Sequence, residues 1–410
     1  MQKKEKWGVL SLASIPLVMT LGNSMLIPVL PVMEKELEIT PFQSSLIITI
    51  YSVVAIILIP IAGFLSDRIG RKKVIIPSLI IAGIGGLVSG FASWLFESPY
   101  ILILVGRFLQ GVGAAGASPI VLPLVGDMCK SEKDVNTGLG LIETSNTFGK
   151  VLSPILGAIL AALIWYMPFF AFPIFCLISI LLIQFMVHTP KDNEVDTSSF
   201  AFFLRKIKRT LKEEGRWLIS IFIVGAICFY ILFGMLFFLS SILEDKYGID
   251  GMVKGLILAI PLGALCLASF ITGKKLGDDK NAIKWIIFSG IFAATVAVFG
   301  ICYTENLYIF IAALVICGIG IGTALPSLDA LITHGTEKEE RGTITSIYSS
   351  ARFIGVAVGP PVFAIVMKIS HDLLFFSVTG ISAIAAILVL FFIKPPKKIR
   401  TDSLFQKVKR

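Results

Sequence analysis

The sequence predicts an all-α membrane protein of twelve transmembrane helices, arranged as two pseudo-symmetric halves of six. Three observations predict it: the chain is too apolar to hide its surface in water, its apolar runs recur twelve times at bilayer length, and landmarks of its first half return in its second. Of 410 residues, 56% are hydrophobic and 15% charged, against about 25% charged in soluble domains. A soluble enzyme, a disordered protein and a nucleic-acid binder are all excluded by that balance. The net charge of +9 needs another explanation, and its distribution supplies one below.

A bilayer core takes about 20 apolar residues per helix. With charges, Gly and Pro as punctuation, the runs are 7–32, 42–65, 74–94, 100–125, 137–160, 163–187, 217–243, 254–273, 283–303, 306–332, 343–367 and 372–393. The first follows Lys3, Lys4 and Lys6 as a secretion signal would, but it is long, carries Pro16, Pro28 and Pro31, and lacks a small-residue cleavage site. It is therefore expected to be a retained span.

With the N-terminus inside, the inner segments hold 29 of the 36 Lys and Arg, and the outer loops and helix ends hold only Lys35, Lys246, Lys254 and Lys368. The asymmetry predicts a multi-pass protein of the cell membrane with both termini cytoplasmic, and it accounts for the basic balance without nucleic acid. The longest polar stretch separates a first half (1–187) from a second (217–394), with a basic tail at 395–410. That linker, 188–216, contains an amphipathic basic piece (200–212) suited to lie on an anionic leaflet. Six cysteines stand in or beside apolar runs with no CxxC pair or Cys/His cluster, so they are expected to be small hydrophobes, with no metal site.

A shift of about 206 to 210 residues superimposes the halves. Gly111, Gly113 and Pro119 match Gly318, Gly320 and Pro326; Thr137, Gly149 and Pro154 match Thr343, Gly355 and Pro360. Two like halves in parallel order are a transporter architecture, with the substrate site near mid-membrane between them.

Between the second and third spans, Gly63, Asp67, Arg68, Gly70, Arg71, Lys72 and Lys73 fit a GxLaDrxGrk pattern. Leu21, Gly22, Pro28 and Pro31 fit lgxxxxxPvxP, Arg107, Gln110, Gly111 and Gly113 fit RxxqGxgaa, and Gly149, Ser153, Pro154 and Gly157 fit GxxxGPxxGG, with Ser153 and Ala158 in place of glycines. Together they resemble the major facilitator superfamily along the whole chain, and within it the twelve-span drug:proton antiporters. The resemblance implies a major facilitator fold whose halves rock about a central cavity. It also implies a latch of Asp67 with Arg341 and Asp127 when the protein faces outward, a fifth span that seals the cavity and favours exchange, and an Arg107 concerned with proton handling. The second-half counterpart of the loop, at Gly273, Gly277, Asp278 and Asp279, is degraded, which predicts a one-sided latch.

Ionisable groups inside spans are costly and usually functional. They are Arg107, Glu143, Lys150, Asp329 and Arg352, with Asp127 and His334 at inner ends. Glu143, Asn146 and Lys150 share a helical face, because their spacing is three and four. A carboxylate in a partly dry cavity favours its protonated form, which suits a site that binds and releases protons; Glu143 is the first proton-coupling candidate and Asp329 the second. Asn23, Met25, Phe229, Phe233, Phe237 and Arg352 join Asn146 and Lys150 as candidate cavity residues, since Met and aromatic faces accept varied apolar ligands.

The expected function is proton-driven efflux of amphipathic drugs by antiport and alternating access, with the proton gradient in place of a cofactor and the lipid bilayer as surroundings. The protein is expected to act as a monomer. One alternative is an exporter dedicated to a single metabolite such as a siderophore, for which Lys150 and Arg107 offer anion contacts; another is a non-transporting receptor or scaffold. No nucleophile, metal cluster or nucleotide loop supports a membrane enzyme or an ATP pump.

Overall fold

A computed structural model of the chain describes residues 3–129, 132–187, 215–277, 279–303, 306–336 and 338–393. Among them are twelve helices long and apolar enough to cross a membrane: Glu5–Glu36, Pro41–Ile69, Arg71–Leu95, Tyr100–Met128, Thr137–Leu163, Met167–Met186, Gly215–Asp245, Gly251–Lys275, Lys280–Ile301, Leu307–Thr333, Ile344–Ile369 and His371–Phe392. Each corresponds to one expected run. The amphipathic piece 200–212 and the tail 395–410 lie outside the described residues.

Proline sets the departures from straight helices, because it removes an N–H and crowds the preceding turn. The first span is a helix Lys3–Ser24, a 3-10 turn Ile27–Val29 and a short helix Leu30–Glu36, broken where Pro28 cannot donate to Ser24. The fourth breaks after Ala117 and resumes at Val121, around Pro119. The fifth and sixth spans, expected to part near 160–163, part later: the fifth helix continues to Leu163 and the sixth begins at Met167.

Turns are equally local in origin. The second span starts in a capping box, with the Thr40 N–H donating to Gln43 Oε1 at 2.9 Å and the Gln43 N–H to Thr40 Oγ1 at 3.3 Å. It ends at Gly70, whose φ of 99° lets the chain reverse directly into the third span.

The inferred repeat is visible in the packing. The first span lies on the fifth and sixth, as the seventh lies on the eleventh and twelfth; the fourth lies on the second and third, as the tenth lies on the eighth and ninth. Matched glycines make matched contacts. A Cβ on Gly111 would stand 2.5 Å from the Tyr51 carbonyl and one on Gly318 2.4 Å from that of Pro261; on Gly113 and Gly320 it would meet the carbonyls of Ser78 and Gly290 at 2.3 and 2.2 Å. The halves meet through the second span on the eleventh and, by the same symmetry, the eighth on the fifth.

Outward-facing Ile57, Ile101, Phe185, Leu267 and Phe391 are exposed, as lipid contact requires. Exposed Trp7 and Trp285 stand at the end of the bundle where the first span begins, here the near face, and exposed Trp94, Tyr303 and Tyr308 at the far face. Such aromatic rings belong at the two membrane interfaces.

Candidate substrate and coupling site

Between the halves, near mid-bundle, the eleventh span brings Arg352 against the tenth and seventh. Arg352 Nη1 is 3.9 Å from Asp329 Oδ1, and its guanidinium lies 4.8 Å from the Tyr348 ring centre and 5.6 Å from that of Phe229. Lys150, from the other half, places its Nζ 5.1 Å from the same Phe229 ring. One aromatic ring is thus approached by two cations, one from each half, and cation–ring attraction strengthens as water is excluded. Phe233 stacks on Phe229 with ring centres 6.1 Å apart. Glu143, two turns from Lys150 on its helix, interacts electrostatically with Lys150, Asp329 and Arg352.

This cluster of two acids and two bases adjoins an apolar cavity bounded by Ser24, Ile27, Pro154, Phe233, Leu236 and Leu258, with Lys150 in its wall. Asn146 joins the first span to the fifth by accepting from Thr20 Oγ1 at 2.7 Å. Phe237 is buried one turn beyond Phe233, toward the far face. Arg352 stands in ion-pair range of Asp329, the second proton-coupling candidate. Tyr348 and Ser349, whose Oγ accepts from Arg352 Nη2 at 3.5 Å, were not legible as site residues, since neither carries a charge at neutral pH nor belongs to a motif.

Arg107 stands apart from that cluster. It is wholly buried and donates from Nε to the Ile47 carbonyl at 2.7 Å, from Nη1 to the Gly22 carbonyl at 3.0 Å and to Gln110 Oε1, and from Nη2 to Asn23 Oδ1 at 2.6 Å. Its guanidinium lies 4.6 Å from the Tyr51 ring centre. The planar fork of donors suits this enclosure by carbonyls, and it fixes the first span just before the Pro28 break.

The glycine motif of the fifth span is a contact surface on both sides. A Cβ on Gly157 would stand 2.0 Å from the Met25 carbonyl, and one on Gly149 3.2 Å from Leu17. On the opposite side Gly255 of the eighth span approaches the Pro154 carbonyl and Ala158. Ser153 is buried and donates to the Lys150 carbonyl at 3.0 Å.

At the near face, Arg71 Nε is 3.1 Å from Asp127 Oδ2, and Arg71 Nη2 is 3.6 Å from Asp67 Oδ1. Arg68 lies over Phe64 with 5.0 Å to the ring centre. A Cβ on Gly63 would approach Ser346 of the other half at 3.6 Å. The structure therefore joins Asp67 and Asp127 through Arg71; the side chain of Arg341, expected between them, lies outside the described residues, as does that of His334.

The chain matches the Major Facilitator Superfamily over residues 12–360 and 242–409. It is 53% identical over 398 residues to the "Bacillibactin exporter" of Bacillus subtilis (strain 168), covering 97% of this chain and 99% of that protein. It is 25% identical to the "Tetracycline resistance protein, class B" of Escherichia coli, over 87% of this chain and 88% of that one. The crystal structure of the human organic anion transporter MFSD10 (TETRAN) matches it in fold, with a TM-score of 0.76 at 16% identity, over 95% of this chain and all of that one. With twelve spans in two repeated halves and a charged site between them, the chain belongs to the major facilitator superfamily, as a multi-pass membrane transporter and not an enzyme.

Proposed function

We propose that this transporter exports a siderophore of the bacillibactin kind across a bacterial cell membrane, with both termini in the cytoplasm, in exchange for protons. The observation that carries the reading is the 53% identity to a bacillibactin exporter along 97% of the chain. It favours a dedicated exporter over the broad drug efflux that the sequence motifs suggested, to which the drug-resistance relatives point at only 25% and 22% identity. The site supports it: Lys150 and Arg352 offer cations from both halves beside the Phe229 ring, an arrangement suited to an anionic chelator. Asp329 and Glu143 are the proposed proton carriers, with Asp329 exchanging between Arg352 and a proton, and Arg107 holds the first span in register. The 1–187 and 217–394 halves rock about this site, and Asp67, Arg71 and Asp127 brace the cytoplasmic face.

Each charge-assisted contact contributes about 1.5–3 kcal/mol, so Lys150→Met and Arg352→Met are each expected to weaken bacillibactin binding roughly tenfold to a hundredfold. Proteoliposomes with an internal pH probe test both ligand and coupling, using bacillibactin, tetracycline and cationic dyes as the panel. Proton flux with bacillibactin alone, lost in Glu143→Gln or Asp329→Asn, is the expected result. Flux with the cations and none with bacillibactin would establish drug export instead, and bacillibactin movement without proton flux would sink the antiport.

A further inference from the structure

The outer loops and helix ends hold four lysines, Lys35, Lys246, Lys254 and Lys368, and the structure buries one of them. Lys254, at the start of the eighth span, is 1% exposed. Its Nζ lies 2.6 Å from Glu244 Oε2 at the end of the seventh span, and Lys35 Nζ, from the end of the first span, lies 2.6 Å from the other oxygen. The Glu244 side chain is 7% exposed and that of Lys35 63%. One buried carboxylate is thus shared by a lysine of its own half and a lysine of the opposite half.

The repeat shows what is specific about this arrangement. At a shift of 210, Glu34 corresponds to Glu244 and Ser44 to Lys254, and Ser44 Oγ donates to Glu34 Oε1 at 2.5 Å as Lys254 donates to Glu244. Even the turns correspond, with φ of 51° at Glu38 and 61° at Gly248. Both halves therefore tie the end of one span to the start of the next by the same contact. In the second half alone the donor is a cation and the acceptor reaches across, while neighbouring Ser240 Oγ donates to the Ile27 carbonyl of the other half at 3.0 Å.

We infer that Glu244, with Lys35 and Lys254, is a charged clasp that holds the far ends of the two halves together in this conformation and must release for the cavity to open on that side. Rocking of the halves parts the first span from the seventh, so the Lys35–Glu244 contact breaks while the Glu244–Lys254 contact, within one half, travels intact. Retained, that second contact keeps Glu244 from becoming an isolated buried anion during opening. The inference does not depend on the substrate.

The test is reaction of a Leu236→Cys reporter, in the cavity wall, with a membrane-impermeant maleimide applied from the far face, using full-length protein in proteoliposomes without substrate. Labelling of the native cysteines in the parent is subtracted. Glu244→Gln is expected to raise the labelling rate about tenfold, since it removes a buried acceptor from two cations. Lys35→Met, an exposed partner, should raise it about threefold, and the double variant should match Glu244→Gln. Glu244→Gln with Lys254→Met removes the orphaned lysine and keeps the test valid if the single variant folds poorly. Faster labelling in Glu244→Gln with none in Lys35→Met would overturn the clasp between halves, and unchanged labelling in all folded variants would overturn it altogether.

Discussion

Replacement of Arg107 by Met is expected to destabilise the folded protein by about 2–6 kcal/mol, because it leaves two buried side-chain acceptors unsatisfied at about 1–3 kcal/mol each. The side chain is fully buried and serves four acceptors on three spans: the carbonyls of Gly22 and Ile47 and the side chains of Asn23 and Gln110. Met fills comparable volume but leaves the Asn23 and Gln110 oxygens without that donor in a region where water is scarce. The first span would lose its tie to the second and fourth beside its Pro28 break, where its own backbone bonding is interrupted. Thermal unfolding in detergent checks the magnitude. Arg107→Lys separates anchoring from proton handling, because an ammonium keeps the charge and reaches part of the acceptor set but lacks the planar fork. If it restores most of the stability and proton exchange still fails, Arg107 acts in coupling as well as in anchoring. If exchange returns with stability, its work is positional.

The spans were legible because hydrocarbon thickness imposes a length on every crossing helix, and the repeat was legible because its glycines sit where backbones touch. Gly111 and Gly318 could not carry a side chain against Tyr51 and Pro261, so the contact leaves its mark in the sequence. The cluster around Phe229 was only partly legible. Glu143, Lys150, Asp329 and Arg352 announced themselves as charges in apolar surroundings, but which acid meets Arg352 depends on how the tenth span packs on the eleventh, and no periodicity encodes that. The far-face clasp was hidden for a different reason. Lys35 and Lys254 stand near span ends, where a lysine is ordinarily solvated, and Ser44 and Lys254 share a repeat position without sharing chemistry. Only the buried geometry shows that Lys254 faces inward.

Gly157→Ala is expected to cost about 1–3 kcal/mol in stability, the usual penalty for overfilling a packed contact, and to reduce transport more than that loss of fold alone would. The added Cβ would stand 2.0 Å from the Met25 carbonyl oxygen, 2.9 Å from its carbon and 3.1 Å from its Cα, all backbone atoms that no rotamer change can move. The fifth span cannot retreat, because its other side carries Pro154 and Ala158 against Gly255 of the eighth span. Relief must therefore come from separating the first span from the fifth or the fifth from the eighth, and the latter is a contact between the two halves. Gly263→Ala on the eighth span provides the comparison: its Cβ would meet nothing within 4 Å, so the helix gains up to about 1 kcal/mol from replacing glycine. Thermal unfolding of the two variants, beside their rates of transport of the proposed substrate, bacillibactin, checks the contrast. Equal stability of Gly157→Ala and Gly263→Ala would show that the fifth span is loosely held. Normal flux in a destabilised Gly157→Ala would show that its seam with the first span is structural and plays no part in the rocking of the halves.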